Sequence, residues 1–229
     1  MKIPYLFAFI SFTFIAFAEL PVPVPEPVSP GRVACVGDSI TEGAGTKDNM
    51  SYPRQLQTLL GSQWTVKNFG VSGRTLLRKG NHPYWNEEAF QKAQDFKPDA
   101  VVILLGANDT KPQNWVYKDE FLSDYRDLVK IFQELPSKPR IYICRPCPVP
   151  APGNFNIRED KILEEIPMID ELAHEMNLGV IDIHAALLPT PEFIPDRVHP
   201  NNDGAAVIAR TVYQALTGKP APDHETAPH

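Results

Sequence analysis

Asp196 and His199 stand three residues apart in the segment Asp-Arg-Val-His. That spacing lets a carboxylate accept a hydrogen bond from the imidazole Nδ1–H while Nε2 points into a site. An imidazole held in this way can act as a general base toward a hydroxyl nucleophile. Of the six histidines in the chain, only His199 combines a nearby acid with a predicted strand-end loop. We therefore expect His199 to carry proton transfer.

Ser39 lies in the segment Gly-Asp-Ser-Ile-Thr-Glu-Gly, directly after a predicted strand. A serine on a tight strand-to-helix turn is exposed and feels the positive field of the helix N-terminus, which favours a nucleophile. The segment is not the motif G-x-S-x-G, because Thr41 occupies the final glycine position. A phosphate-binding glycine loop is the alternative, but neither P-loop nor G-x-G-x-x-G spacing is present.

Two further strand ends carry residues that could stabilise an oxyanion. Asn108 follows a wholly apolar run, and its side-chain amide could donate a hydrogen bond to developing negative charge. A helix cap or turn is the alternative role for this asparagine. Gly73 follows another apolar run, and a glycine there lets a backbone N–H approach a ligand closely. The alternative for Gly73 is an ordinary turn.

Alternating strands and helices must position these residues. Five short apolar runs predict strands at Arg32–Gly37, Trp64–Phe69, Ala100–Leu105, Arg140–Cys144 and Gly179–Ile183. Amphipathic patterns predict helices near 51–60, 86–96, 118–135, 157–176 and 202–217. Strict alternation implies an α/β fold, a three-layer α/β/α sandwich with a five-stranded parallel sheet. Ligands bind beyond the carboxyl ends of such strands. We expect Pro167 to kink or divide the fourth helix.

The chain divides into four predicted regions. Residues 1–18 combine an early lysine, an apolar stretch and a small-x-small ending, which is typical of a secretory signal peptide. An uncleaved anchor is the weaker alternative, because the apolar stretch is shorter than the ~20 residues that span a bilayer. Residues 19–30 read as a proline-rich spacer, residues 31–218 as one domain and residues 219–229 as a frayed tail. The protein is thus predicted to be exported, either to a periplasm or beyond the cell.

The charge of the chain limits the kinds of molecule that it can bind. The net charge is −6 without a cluster of basic residues, which argues against nucleic acid as a partner.

Cys144 and Cys147 have C-x-x-C spacing, but the proline-rich continuation argues against a redox helix, and a zinc site would need a second ligand pair. A local disulfide or two unreactive thiols remain, and Cys35 is expected to be buried. Four prolines at 146, 148, 150 and 152 are expected to stiffen the sheet edge.

The four strand-end segments together resemble the SGNH hydrolases, also called the GDSL esterase/lipase family. The matching blocks are Gly37-Asp38-Ser39, Gly73, Gly106-x-Asn108-Asp and Asp196-x-x-His199-Pro, which are the family's first, second, third and fifth blocks. The resemblance covers essentially all of residues 31–218 and implies the flavodoxin-like SGNH hydrolase fold.

The resemblance also implies a mechanism. Ser39 is the expected nucleophile, His199 the general base and acid, and Asp196 the residue that orients His199. The backbone N–H groups of Ser39 and Gly73 and the amide of Asn108 are the expected oxyanion hole. Water completes such a cycle, so neither a metal nor another cofactor is expected.

The expected substrate rests on weaker sequence signals than the expected catalytic residues do. The predicted rim mixes aromatic and polar groups, a combination that suits sugar faces but could equally be loop packing; its residues are Arg74, His82, Tyr84, Trp85, Asn114, Trp115, Phe155 and Arg158. Candidate substrate contacts are Asp38, Arg74, Tyr84, Trp85, Trp115 and Arg158. The overall pattern is similar to exported carbohydrate O-acetylesterases, which makes a small-molecule or carbohydrate ester the expected partner. The alternatives are a general short-chain or aryl esterase, a lysophospholipase or thioesterase-like enzyme, and a non-catalytic sugar-binding module. A nucleotide-binding domain would need a phosphate fingerprint that the chain lacks.

Overall fold

Five parallel strands form one sheet in the order β2-β1-β3-β4-β5. The computed structural model describes residue 24 and residues 26–222. The predicted signal peptide and the end of the predicted tail lie outside the described residues. The strands are β1 (Arg32–Gly37), β2 (Thr65–Gly70), β3 (Ala100–Leu104), β4 (Arg140–Arg145) and β5 (Gly179–Asp182). The predicted α/β class and five-stranded parallel sheet are confirmed.

Helices cover both faces of this sheet. They are α1 (Ser39–Glu42), α2 (Tyr52–Leu60), α3 (Glu88–Asp95), α4 (Pro112–Trp115), α5 (Phe121–Gln133), α6 (Glu159–Met176), α7 (Ile183–Leu187) and α8 (Asn202–Thr217). The short elements α1, α4 and α7 were not anticipated, because four or five residues are too few to show a helical period.

Alternation along the strands builds a separate core on each face. In β3, Val101 and Ile103 join one apolar cluster with side chains of α3, α5 and α6, whereas Val102 and Leu104 join another with α2 and α8. Every residue of β3 is buried, as expected for a parallel strand that is covered on both faces. These two cores hold the sheet between helical layers and make the predicted three-layer sandwich.

Helix α6 runs without interruption through Pro167, so of the two expected effects, a kink or a division, the division does not occur. A proline removes one hydrogen bond from the helical ladder. Burial on both sides compensates for that loss: Ile162 precedes the proline, Ile169 and Leu172 follow it, and all three are fully buried.

The last residues of the predicted spacer are attached to the domain. The Val28 N–H donates to the Leu216 carbonyl at 2.8 Å, and the Tyr142 hydroxyl donates to the Glu26 carbonyl at 2.5 Å. The Glu26 carboxylate also pairs with Arg140 at 2.6 Å. Packed structure therefore begins a few residues before the predicted boundary at residue 31. Within the described part of the chain, no helix is both long and apolar enough to cross a bilayer.

All three cysteines are buried free thiols. Cys144 lies within β4, so the C-x-x-C segment does not open a helix. Burial raises the pKa of the Cys35 thiol to about 12 and that of Cys144 well above its usual value. Thiols that stay protonated are poor nucleophiles, which agrees with the unreactive alternative rather than with a redox site.

The end of β2 is in direct contact with the turn that carries Ser39. Gly70 pairs with Gly37, and a Cβ on Gly70 would overlap the backbone nitrogen of Glu42 and lie 2.8 Å from the Asp38 carbonyl oxygen. Only a residue without a side chain lets α1 approach β2 this closely.

Gly70→Ala should therefore destabilise the fold, because the contacting atoms belong to backbone that cannot rotate away. Overpacking of this kind costs roughly 1–3 kcal/mol, which corresponds to a loss of several degrees in Tm for a domain of this size. Thermal unfolding followed by circular dichroism measures the loss. Gly31→Ala is the matched control, since the three atoms nearest to a Cβ there all belong to the side chain of Asp99 rather than to backbone. Equal Tm values for the two variants would contradict the close contact.

Candidate active site

Ser39, His199 and Asp196 form one chain of hydrogen bonds. Ser39 Oγ lies 3.0 Å from His199 Nε2, and His199 Nδ1 lies 2.7 Å from Asp196 Oδ2. In this arrangement the hydroxyl donates to Nε2 and Nδ1–H donates to the carboxylate. Ser39 begins α1 directly after β1, whereas Asp196 and His199 lie in the loop before α8; Ser39 and His199 are 160 positions apart in the sequence. A hydroxyl bonded to an oriented imidazole can be deprotonated as it attacks an electrophile.

The loop that carries Asp196 and His199 folds around the carboxylate. Asp196 Oδ1 accepts from the backbone N–H groups of Val198 at 2.9 Å and His199 at 2.7 Å. Partial burial raises the pKa of Asp196, but these bonds and the bond from the imidazole outweigh it, so the pKa lies below its usual value. The carboxylate is thus ionised and can stabilise an imidazolium on His199.

Ser39 is the first residue of α1, and Asp38 caps that helix. Asp38 Oδ1 accepts from the Ile40 N–H at 3.0 Å. Gly37 permits the tight turn, since a Cβ there would lie 2.6 Å from the Leu104 carbonyl oxygen. Ser39 is 8% exposed, so most of the residue is shielded from solvent.

Asn108 lies beside Ser39 on the turn after β3. Its side-chain Nδ2 donates to Asp38 Oδ2 at 3.0 Å and to the Arg74 carbonyl at 3.2 Å. The turn is closed by the Asp109 N–H, which donates to the Gly106 carbonyl at 2.7 Å. Gly106 has a φ of 129°, a conformation that other residues rarely adopt.

Two backbone N–H groups beside Asn108 have no acceptor. No group among residues 26–222 accepts a hydrogen bond from the N–H of Ser39 or of Gly73. The Asn108 amide is a third donor group on the neighbouring turn, and it donates to Asp38 and to the Arg74 carbonyl. Such a group of donors can stabilise negative charge that develops on an oxygen.

Asp109 and Asn114 hold the loops around this turn, whereas sequence reasoning placed Asp109 only in a matching motif block and Asn114 only at the rim. Asp109 is fully buried and accepts from the backbone N–H groups of Leu76 at 3.0 Å and Leu77 at 2.6 Å. It thereby fixes the loop that contains Gly73. Asn114 donates to the Asn108 carbonyl at 2.8 Å. The signal available for Asp109 was a carboxylate directly after Asn108 at a strand end.

Three buried carboxyl groups lie beneath the site. Burial raises the pKa of Asp38 to about 6, although hydrogen bonds and the proximity of His199 lower it. Burial raises the pKa of Asp109 to about 7 against the bonds from Leu77 and Leu76. Glu165 of α6 is completely buried, neither of its oxygens has a hydrogen-bond partner in the described chain, and burial holds its pKa well above the usual value.

Two residues that were predicted to contact substrate do not reach a substrate site. Tyr84 is completely buried and its hydroxyl donates to the Phe69 carbonyl at 2.6 Å, so it belongs to the core. Asp38 is 2% exposed, and its carboxylate is engaged by Ile40 and Asn108. Both predictions are wrong, because aromatic and acidic residues near strand ends can pack inward as well as outward.

Of the other candidate contacts, Trp115 is buried in a core cluster, whereas Arg74 and Trp85 are partly exposed. The Trp85 indole donates to the Leu76 carbonyl at 2.7 Å, with the Arg78 guanidinium over its ring. Arg74 pairs with Glu87 at 2.8 Å. Trp115 is 7% exposed and donates to Glu164 at 2.9 Å.

Arg158 shares an open pocket with Trp115. The Arg158 side chain is 65% exposed and pairs with Asp160 at 2.9 Å. The pocket has a volume of about 370 Å³ and is also lined by Thr110, Asn156 and Lys161.

The remaining histidine near a strand end has a separate partner. His184 Nε2 lies 2.7 Å from Glu159 Oε1 and is not joined to Ser39. The described residues contain no cluster of three or more histidine, cysteine, aspartate or glutamate side chains that could hold a metal ion.

Comparisons with known proteins agree on one family and one fold. Residues 35–207 match the model of the GDSL-like lipase/acylhydrolase family. The chain is 39% identical over 219 residues to an acetylxylan esterase of Xylanibacter ruminicola, and the match covers 86% of this chain and 45% of the relative. The chain therefore spans about half the length of that relative.

Solved structures share the architecture. A carbohydrate acetylesterase from Sinorhizobium meliloti superposes with a TM-score of 0.65 at 20% identity, over 80% of this chain and 96% of that one. The native aryl esterase of M. smegmatis superposes with a TM-score of 0.61 at 19% identity, over 80% and 97%. At these identities the likeness concerns the fold alone.

The buried carboxyl of Glu165 should make stability depend on pH. Its folded-state pKa lies above the unfolded value of about 4.3, so the folded state holds a proton that the unfolded state releases. The free energy of unfolding should therefore fall as pH rises above that unfolded value, by up to about 1.4 kcal/mol per pH unit for this group. Glu165→Gln keeps the shape without the titration and should flatten the slope by that amount between about pH 5 and 7.

Urea unfolding at several pH values measures this slope. Glu164→Gln is the matched control, because the neighbouring Glu164 side chain is 40% exposed and hydrogen bonds from Lys161 and Trp115 hold its pKa below the usual value. Parallel curves for the wild type and Glu165→Gln would mean that Glu165 is ionised in the folded protein.

Proposed function

The chain belongs to the GDSL-like lipase/acylhydrolase family, and from that premise we propose that it is a serine esterase that removes O-acetyl groups from carbohydrates. The observation that carries the proposal is the hydrogen-bonded chain from Ser39 through His199 to Asp196, with distances of 3.0 and 2.7 Å. An intact nucleophile, base and orienting acid in one line favours catalysis over the sugar-binding module considered above.

In the proposed reaction, Ser39 Oγ attacks the ester carbonyl carbon while His199 Nε2 takes the hydroxyl proton. The tetrahedral intermediate collapses as the imidazolium gives that proton to the leaving alcohol, and the acyl group stays on Ser39. Water then attacks the acyl-serine, His199 takes its proton, and the acid leaves as Ser39 recovers a proton. Asp196 stabilises the imidazolium at both stages.

The proposed oxyanion hole consists of the N–H groups of Ser39 and Gly73 and the amide of Asn108. The bond to Asp38 at 3.0 Å fixes the plane of the Asn108 amide. The second amide hydrogen now meets the Arg74 carbonyl at the longer distance of 3.2 Å, and an oxyanion would compete for it. Charged acceptors form the stronger bond, so the exchange favours the intermediate over the substrate.

The carbohydrate acetyl ester is supported by the relative described as an acetylxylan esterase, to which this chain is 39% identical. We also propose that the protein is exported, since residues 1–18 have the pattern of a signal peptide. An esterase that acts on a polysaccharide must meet it outside the membrane. These two features support each other.

Ser39→Ala should lower kcat for a simple acetate ester by roughly 10⁴–10⁶-fold, because no other group can form the acyl intermediate. Asp196→Asn should cost roughly 10³–10⁴-fold, because the imidazole loses its orienting acceptor. Titration of the released acetic acid measures kcat for both variants. Ser123→Ala, an exposed serine of α5, is the matched control and should keep full activity. If folded Ser39→Ala retained turnover, the assignment of Ser39 as the nucleophile would be refuted.

A substrate panel tests the ester class. We expect kcat/KM to be highest for acetyl esters and to fall at least tenfold by an acyl chain of twelve carbons. Acetylated xylan and glucose pentaacetate should be hydrolysed along with phenyl acetate. A maximum at long chains would refute the acetyl preference, and hydrolysis of phenyl acetate alone would favour a general aryl esterase.

A further inference from the structure

Phe155 presents an exposed aromatic ring beside the imidazole of His199. The two ring centroids are 5.4 Å apart with an angle of 58° between the planes. Phe155 is nevertheless 52% exposed, so the imidazole covers only part of the phenyl surface. The ring is thus partly open to solvent and packs beside a proposed proton donor.

The backbone that carries this ring is held in an unfavourable conformation. Phe155 has a φ of 51° and Asn156 a φ of 63°, so two consecutive residues with side chains lie in the left-handed region. Such residues are costly and persist only where the surrounding structure holds them, which makes them candidates for functional positions.

Hydrogen bonds fix the loop to the segment that carries Asp196. The Asn154 side chain donates to the Asp196 carbonyl at 2.9 Å and accepts from the Phe155 N–H at 2.9 Å. From the other side, Arg197 Nε donates to the Gly153 carbonyl at 3.0 Å. The position of the phenyl ring relative to His199 is thus set by the same segment that orients the imidazole.

The chemistry of the proposed reaction decides which part of the ester meets this ring. His199 delivers its proton to the leaving alcohol, so the alcohol must lie next to the imidazole at that moment. The acyl group lies instead toward Ser39 and the three N–H donors. Phe155 therefore lies on the alcohol side of the scissile bond.

A sugar ring matches this surface. The face of a phenyl ring carries partial negative charge, which attracts the partly positive C–H groups on the face of a pyranose. Beyond Phe155, its neighbour Asn156 lines the open pocket of about 370 Å³ together with Arg158 and Lys161. Hydrogen-bond donors next to an aromatic face suit the hydroxyl groups of adjoining sugars.

We propose that Phe155 is a specificity-determining residue that binds the alcohol part of the ester by stacking on a pyranose ring. The proposal rests on the esterase function proposed above and deepens it, since it assigns recognition of the carbohydrate to one side chain. Recognition by stacking adds affinity for a bulky cyclic alcohol and little for a short one.

Two acetate esters with different alcohols test this assignment: acetylated xylobiose and ethyl acetate. Phe155→Ala should lower kcat/KM for acetylated xylobiose roughly five- to tenfold more than for ethyl acetate, chiefly through KM. Phe155→Tyr should restore the preference, because it keeps the ring. Leu163→Ala is the matched control, since Leu163 is also 52% exposed but lies on α6, and it should leave both esters unaffected.

The possible outcomes separate the two proposals. Equal losses for both esters in kcat would overturn the stacking role and indicate that the ring shields His199 from water. Unchanged kinetics in Phe155→Ala would overturn it as well. If the wild-type protein hydrolysed neither ester, the esterase function and this inference would both be refuted. If the wild-type protein were active and Phe155→Ala lost activity equally on both esters, only this inference would be refuted.

Discussion

Parallel pairing of β1 with β2 on one side and with β3 on the other ends three strands at one edge of the sheet. Gly37 lies opposite both Gly70 and Leu104 in that register. The loops that follow must therefore share a small space, and they carry Ser39, Gly73 and Asn108. Their proximity results from backbone pairing, and each side chain needs only its own turn to complete the geometry.

A network of buried polar groups turns that proximity into a fixed arrangement. Asp38 bonds to the turn of Ser39 and to Asn108, and Asp109 bonds to the loop of Gly73. Buried polar groups are costly unless they are paired, so alternative positions of these loops would leave carboxyl groups without partners. Among the three carboxyl groups beneath the site, Glu165 is the exception, because its oxygens are unpaired within the described chain. A neutral carboxyl packed against Gly106 reconciles this burial with a stable fold.

Sequence patterns predicted the framework closely. The boundaries of the predicted strands agree with the structure to within one residue at each end, because short runs rich in apolar residues between turns leave few alternatives. The long helices were found by their amphipathic period, whereas α1, α4 and α7 were too short to show one. Pro167 does not divide α6, since burial of Ile162 and Ile169 on either side outweighs one missing hydrogen bond.

The sequence by itself determined the class of fold, the order of its elements and the residues at each strand end. Periodicity and local spacing depend only on the order of the residues along the chain. The three-residue interval between Asp196 and His199 is of this kind. Only the tertiary structure decided which side chains face inward or outward at the rim. Tyr84 is buried in the core and Phe155 lies at the surface beside His199, although both are aromatic residues of connecting segments. That difference arises from contacts between distant segments, such as those of Tyr84 with Phe69 and of Asn154 with Asp196, which no local pattern records.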